Sequence, residues 1–540
     1  MFSDCRQANK IDYFLSLIIF LVFTTIGITT IHEYGLTWDE PENLVVGERY
    51  LAFFKTLDIS FLDMRRAQPE VDNPDGLHLR LYDSHAHPPL PNIAAALTGR
   101  LFGRWTKLLD PVDARHVAIL MMGGLVLAVT YLFAREAFSR STAIFAVLVL
   151  VLLSRFFAHT HFNLNDIPKT LFFALTLWGL WRGIIFKKSG SIYWAGLAAG
   201  AGISVRPNVL LAILAGSIWL IFVKDRWVSE KKTGIALLLF PLLICAGFIA
   251  SWPAMWVMPV RVINDLVEYW TWLGISPREN WTPYPLLMLA FTTPLSTLFL
   301  LYWGIIASIR LRKIDENFSV LLIWLWLVFP VLRVAIPGMN VYDGVRHFLE
   351  VLPALAILSA LGAEELIWLV SRIIPKFPNR IMRLATYILL IPALLELLRF
   401  APYEIAYFNR IIGGLKGAQS IGIREATDYW GSSYRKGFAW LNENTPEDTC
   451  LYVPVGQAHI ARAVQGLWLR EDICIVKPGD EVRGLVFVMH TTRPSEYVQV
   501  DLYAREKFDP VYFIQRDSAV ILEIFKLSKG EWEKAINWGQ

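Results

Sequence analysis

Apolar and polar positions in this chain are grouped in long blocks. Apolar runs recur at roughly 13–31, 115–134, 141–158, 170–186, 191–205, 207–223, 233–252, 286–308, 318–337, 347–369 and 384–398. About twenty apolar residues cross a bilayer as a helix, so the pattern predicts about eleven spanning helices, a few of them short. A further run, 89–103, is short and contains Arg100. Beyond residue 400 the pattern changes. Charge rises, and no later run is long enough to cross. Short strands are predicted at Leu451–Val455, Leu485–Met489 and Ala519–Phe525. Helices are predicted at Tyr434–Glu443 and Ala458–Gln465, with Asn444-Thr445-Pro446 as a stop. The expected architecture is a polytopic α-helical membrane module, 1–400, whose large first loop covers 32–114 and carries interfacial helices. An extracytoplasmic α/β domain, 401–540, follows it, with its folded part starting near Asp428.

Loop charge orients the helices. If 89–103 lies on the outer surface, loops 1–12, 135–140, 187–190, 224–232, 309–317 and 370–383 share one side, and nearly all the loop Lys and Arg fall there. The opposite short loops carry chiefly Lys169, Arg206, Arg278 and Arg346. Cytoplasmic loops carry the excess of Lys and Arg. The N-terminus is therefore expected inside, and the first loop and C-terminal domain outside. The first apolar run has no small-residue cleavage site after it, so it reads as a retained helix. The expected home is the plasma (inner) membrane of a bacterium.

Composition agrees with this. The chain of 540 residues is 55% hydrophobic and only 18% charged, whereas a soluble domain carries about a quarter. Its 21 Trp suit the two membrane interfaces. Net charge is +4, scattered over short loops, which gives nucleic-acid binding no support. Of the four cysteines, Cys450 and Cys474 fall in the outer domain. A disulfide between them fits that compartment, but the spacing does not demand it.

Candidate chemistry collects on the outer side. Asp39 and Glu40, in Thr37-Trp38-Asp39-Glu40-Pro41, follow the first helix directly. The same loop returns through Asp83-Ser84-His85-Ala86-His87-Pro88-Pro89-Leu90. Asp166 sits in a second outer loop with Asn165 and Lys169. A carboxylate within reach of an acceptor hydroxyl can take its proton during transfer. Acids before a proline also cap helices; a second acid loop on the same face and the His-Pro-Pro-Leu return favour chemistry here. Arg346 and His347, in Asp343-Gly344-Val345-Arg346-His347-Phe348-Leu349, and Arg206 stand at the outer rim. Arginine there can grip a phosphate bidentately or snorkel to headgroups as an anchor. His85, His87, His159 and His161 invite a metal reading, but no tetrahedral set at zinc spacing is present. A divalent ion is not favoured, and no cofactor is expected. His87 is assigned to fixing the loop or touching substrate. Nucleotide-cradling loops and a Gly-x-Ser-x-Gly elbow are missing. An enzyme working outside the cytosol needs an activated donor carried through the membrane, and a sugar on a polyprenyl phosphate meets that need.

These residues together resemble the GT-C membrane glycosyltransferases. The resemblance rests on Asp39-Glu40 after the first helix, the His-Pro-Pro-Leu return, Asn163-x-x-Asp166 and Arg346-His347-Phe348-Leu349. It is nearest the protein O-mannosyltransferase and bacterial aminoarabinose transferase branches, and covers about residues 13–400. It implies Asp39 as general base with Glu40 beside it, Asp166 orienting acceptor or loop, and Arg346 on the leaving lipid phosphate. The implied reaction is a single inverting displacement without an obligatory metal. Two departures stand out. Many relatives carry Lys soon after Pro-Pro-Leu, where this chain has Pro91-Asn92. The C-terminal domain is also unlike the β-trefoil insert of eukaryotic mannosyltransferases, so the acceptor is left as glycan, lipid or protein. Asp428-Tyr429-Trp430-Gly431 is similar to an oligosaccharyltransferase box in changed order, and reads as a structural turn. The alternatives are a transporter of polyprenyl-linked glycans and a non-catalytic glycan-binding membrane protein. A transporter would place polar or broken helices at mid-membrane, whereas the notable acids here lie at one rim.

Overall fold

The computed structural model describes residues 6–79, 88–375, 378–455, 458–482 and 484–539. All eleven apolar runs are helical. Among the described residues, five helices are long and apolar enough to cross a membrane: Lys10–Glu33, Pro111–Ala137, Lys231–Ala250, Gly344–Ile373 and Ile381–Phe400. Two bent pairs raise this to seven if each is one span. They are Arg140–Val151 with Ser154–Phe162, bent by 69°, and Tyr284–Thr292 with Leu295–Leu311, bent by 119°. The remaining expected spans are shorter helices, such as Ser319–Ala335, or carry charge, such as Asp166–Ile185.

The chain forms two compact units. One comprises 1–29, 85–91 and 117–398; the other comprises 30–84, 92–116 and 399–540. In the first unit, small residues set how closely helices approach, as they do where lipid removes the hydrophobic drive between helices. Helix Ser189–Val205 packs on Lys231–Ala250 through Gly200 and Gly247. Leu295–Leu311 packs on Leu352–Ile373 through Gly304 and Gly362. At each of these glycines a Cβ would collide with a backbone carbonyl of the facing helix. Several charges within this bundle are paired. Arg310 forks onto Glu365 with Trp368 beneath its guanidinium, and Asp12 receives both Arg135 and Arg140.

In the second unit, residues 399–540 build a five-stranded mixed sheet of order β2-β1-β3-β5-β4. The strands are β1 Cys450–Tyr452, β2 Cys474–Ile475, β3 Val486–Thr491, β4 Tyr512–Arg516 and β5 Ala519–Leu527. β1 runs parallel to both β2 and β3, and β5 runs antiparallel to both β3 and β4. β3 is central and fully buried, which accounts for its unbroken apolar run. The expected strands appear as β1, β3 and β5. β2 is too short and β4 too polar to have been seen in the pattern. Cys450 and Cys474 are register partners across β1 and β2, and a disulfide joins them. Helix Tyr434–Asn444 ends at the expected stop, and the second expected helix is shorter, His459–Ala463.

The run 89–103 is helical, Pro89–Thr98 continuing as a π-helix Gly99–Trp105. Its Arg100 pairs with Glu48, which also takes Arg115; Arg115 in turn reaches Asp75, which also holds Arg104. These pairs fasten the first loop to itself.

Candidate active site

Each unit holds one of the acidic loops. In the first, Asn163 shapes the turn before helix Asp166–Ile185. Its Oδ1 accepts from the backbone N–H of Asn165 (3.1 Å) and Asp166 (2.8 Å), and its Nδ2 donates to the Asp166 carboxylate at 3.0 Å. Asp166 also meets Lys169 Nζ at 3.1 Å and Arg346 Nε at 3.4 Å. Lys169, fully buried, lies 2.7 Å from Glu350 and donates to the Arg346 carbonyl. Arg346 is further fixed by Asp343 at 2.8 Å. Arg333 and Asn208 both donate to the His347 carbonyl, at 2.8 and 3.0 Å, and the His347 ring sits edge-on to Tyr342.

This cluster gathers four cations (Lys169, Arg206, Arg333 and Arg346) against three carboxylates (Asp166, Asp343 and Glu350). The odd one is Arg206. Among the described residues its guanidinium has no hydrogen-bond or ion-pair partner, and its Nε is buried. Arg206 is only partly buried, and a guanidinium left without a partner at the edge of an ion network suits an anion brought from outside the chain. Sequence reasoning found Asp166, Asn165, Lys169, Arg206, Arg346 and His347, and the structure brings them together. It missed Glu350, Arg333, Asp343 and Asn208. The signal for one of these was present: Arg333 is the one charge inside the apolar run 318–337, where a charge is costly and marks a site.

In the second unit, Asp39 occupies the position before helix Glu40–Thr56, but its side chain makes no cap hydrogen bond. Glu40, the first residue of the helix, ties down the segment before it. Its Oε2 accepts from the Thr37 backbone N–H at 2.6 Å and hydroxyl at 2.9 Å, and its Oε1 meets His116 Nε2 at 2.7 Å. Glu40 is 1% exposed, whereas Asp39 is only partly buried. Glu40 is thus a buried anchor for the loop.

The segment around Asp39 is clamped by residues 399–540 of the same unit. Tyr34 donates its hydroxyl to Glu404 at 2.9 Å, Gly35 N–H donates to Ser432 Oγ at 2.9 Å, and Arg435 donates to the Tyr34 carbonyl at 2.9 Å. Arg435 also reaches Asp110 and Asp113. His459 Nε2 donates to the Trp38 carbonyl at 2.7 Å, and the Arg493 guanidinium lies 5.4 Å from the Trp38 ring centroid. A Cβ on Gly35 would strike the Ser432 carbonyl, so only glycine fits there. Asp428 accepts the Ser433 backbone N–H at 2.5 Å, and Gly431 turns the chain at φ +83°. Asp428-Tyr429-Trp430-Gly431 is therefore the turn that presents Ser432 and Arg435 to the Asp39 loop. Burial pushes the Glu404 carboxyl up to about 7, against the lowering effect of the Tyr34 hydroxyl, and burial also raises Asp428.

His85 and His87 lie outside the described residues. Among the described residues no group of three or more His, Cys, Asp or Glu is placed to hold a metal.

The family described as dolichyl-phosphate-mannose-protein mannosyltransferase matches residues 86–252, which include Asp166 and Arg206. In structure, the chain is similar to ArnT from Cupriavidus metallidurans bound to undecaprenyl phosphate. The TM-score is 0.51 at 15% identity, over 94% of this chain and 97% of that one. The fold is that of the GT-C membrane glycosyltransferases. The apo state of the same ArnT gives a TM-score of 0.49 at 13% identity over the same shares of each chain. No curated protein sequence matches. With the GT-C fold and its apolar helices, the chain is an integral membrane protein.

Proposed function

We propose that the chain is a glycosyltransferase that moves a hexosyl or pentosyl group from a polyprenyl-phosphate donor to an acceptor hydroxyl on the non-cytoplasmic face of the membrane. The observation that carries this reading is the surplus cation of the first unit, Arg206, unpartnered beside a network already neutralised by its own carboxylates. A lipid phosphate supplies the missing anion. The ArnT structure similar in fold holds undecaprenyl phosphate, which supports that donor class.

In this reading Asp39 takes the acceptor's hydroxyl proton as the oxygen attacks the anomeric carbon. The bond from that carbon to the phosphate oxygen breaks, and the electron pair leaves on the polyprenyl phosphate, so the configuration inverts. Arg206 and Arg346 meet the charge that grows on the leaving phosphate, the role a divalent ion has in other transferases. Asp166 and Asp343 hold Arg346 in place beforehand. Asn165 and Lys169 fix the second loop. Glu40, through Thr37 and His116, fixes the backbone that carries Asp39.

Orientation is part of the proposal. The bias of Lys and Arg in the loops and the Cys450–Cys474 disulfide, which belongs to an oxidising compartment, support a cytoplasmic N-terminus and an outward C-terminal domain in a bacterial inner membrane. The test is Arg346→Ala assayed with separately varied donor and acceptor. The reading expects weaker donor binding with acceptor KM unchanged; equal loss on both substrates counts against a phosphate role.

A further inference from the structure

A second amphipathic site lies in the first unit, along the helix that also carries Arg333. Helix Ser319–Ala335 places Arg333 in the cation cluster and Val320 in the first turn at its other end. Thirteen residues separate them, a rise of about 20 Å. Beside that far end is a groove of about 450 Å³. Its walls are largely apolar, lined by Phe222, Ile305, Ile309, Phe318, Leu321 and Trp324. Phe222 and Phe318 pack as tilted rings with centroids 5.5 Å apart, and Trp219 donates to the Asn317 carbonyl at 3.0 Å, so the walls are fixed.

The groove's polar end is built differently. Arg312 lines it, and Lys313 follows. Among the described residues neither side chain has a hydrogen bond or ion pair. The one acid lining the groove does not neutralise them. Asp315 turns both oxygens into the start of the next helix, accepting from Asn317 N–H at 3.2 Å and Val320 N–H at 2.8 Å. The Trp324 indole N–H likewise has no protein acceptor among the described residues. Phe222, Ile305 and Ile309 are 51, 42 and 69% exposed, a surface that only hydrocarbon would cover in a membrane.

We propose that this groove binds an anionic phospholipid. The headgroup phosphate pairs with Arg312 and Lys313 and accepts from Trp324, while an acyl chain lies along Phe222, Ile305, Ile309 and Leu321. A zwitterionic lipid brings its own choline cation beside its phosphate and so leaves the net charge of Arg312 and Lys313 uncompensated, and a free phosphate would leave the apolar walls bare. Basic pockets at helix ends are general binding places for anionic headgroups. With the orientation proposed above, the groove opens to the cytoplasmic leaflet. The inference is independent of glycosyl transfer.

The test uses the full chain in nanodiscs of equal phosphatidylglycerol and phosphatidylcholine, extracted into detergent and weighed by native mass spectrometry. Wild type is expected to retain phosphatidylglycerol in preference, and Arg312→Gln to lower that retention about fivefold. Arg226→Gln is the control. Arg226 lies at the same end but outside the groove, 3.9 Å from Glu316, and its loss should change nothing. Ile305→Trp, which fills the groove, should expel the lipid with Arg312 intact. Equal retention of both lipids by wild type, or equal losses in Arg312→Gln and Arg226→Gln, overturns the proposal. As a reading on wild type alone, phosphatidylglycerol should raise the unfolding temperature and phosphatidylcholine should not; no difference between them also counts against it.

Discussion

Asp166 and Asp39 are the same residue type in loops that look equivalent in sequence, yet their surroundings give them opposite work. Asp166 is a counter-ion. It is buried among Lys169, Arg346 and Asn163, and each of these is held in turn by Glu350, Asp343 or the backbone. Asp39 is partly buried, on a backbone fastened from several directions while its side chain is left out of the cap. An acid locked by cations positions other groups. An acid on a rigid backbone, with its neighbour anchoring the loop, is the one we propose to move a proton. A sequence motif names both, and only the environment assigns the roles.

The largest expected difference between the two is in stability. Asp166→Ala removes one partner from a buried ion network, which costs about 3–5 kcal/mol. The unfolding temperature in detergent should therefore fall sharply, and further than in Asp39→Ala. Equal losses would erase the distinction. Next is the surplus cation. Arg206→Gln should weaken binding of undecaprenyl phosphate about tenfold, the scale of one charge-assisted contact to an anion. Because Arg206 makes no direct ion pair with a carboxylate, the variant should lose far less stability than Asp166→Ala. Tight lipid binding by this variant would move the phosphate site elsewhere.

Glu40→Gln separates anchor from base. It keeps the shape but weakens the bonds from Thr37 and His116, so it should slow transfer far less than loss of Asp39 and lower stability by about 1–2 kcal/mol. The smallest effect concerns the clamp. Glu404 titrates near 7 when folded, against 4.5 for an ordinary glutamate. The folded chain thus holds its proton more tightly over that interval. The stability this lends is complete below about pH 4.5 and is lost as pH rises through about 7. The difference in unfolding temperature between wild type and Glu404→Gln should change over that window and be flat above it.

Much of this molecule is legible from hydropathy. Each apolar run became helical, two of them as bent helix pairs, because the backbone has no other way to satisfy itself in lipid. The outer residues singled out by motif, Asp166 to Lys169 and Arg346, meet in one cluster. Their partners were harder to see. Glu350 lies one turn beyond Arg346 inside an apolar run, and Arg333 ends another, so both were hidden by their neighbours. The pairing of Glu40 with His116 joins residues 76 apart in sequence, and no local pattern encodes it. The disulfide depended on β1 and β2 being parallel neighbours, and β2 is only two residues long.

The most direct measurement takes Asp39→Asn, purified beside wild type, and reads single-turnover sugar transfer and lipid-phosphate affinity on the same sample. The account predicts transfer slower by about 10²-fold or more, as loss of a general base gives, with lipid affinity unchanged. Transfer at near wild-type rate by Asp39→Asn would contradict it.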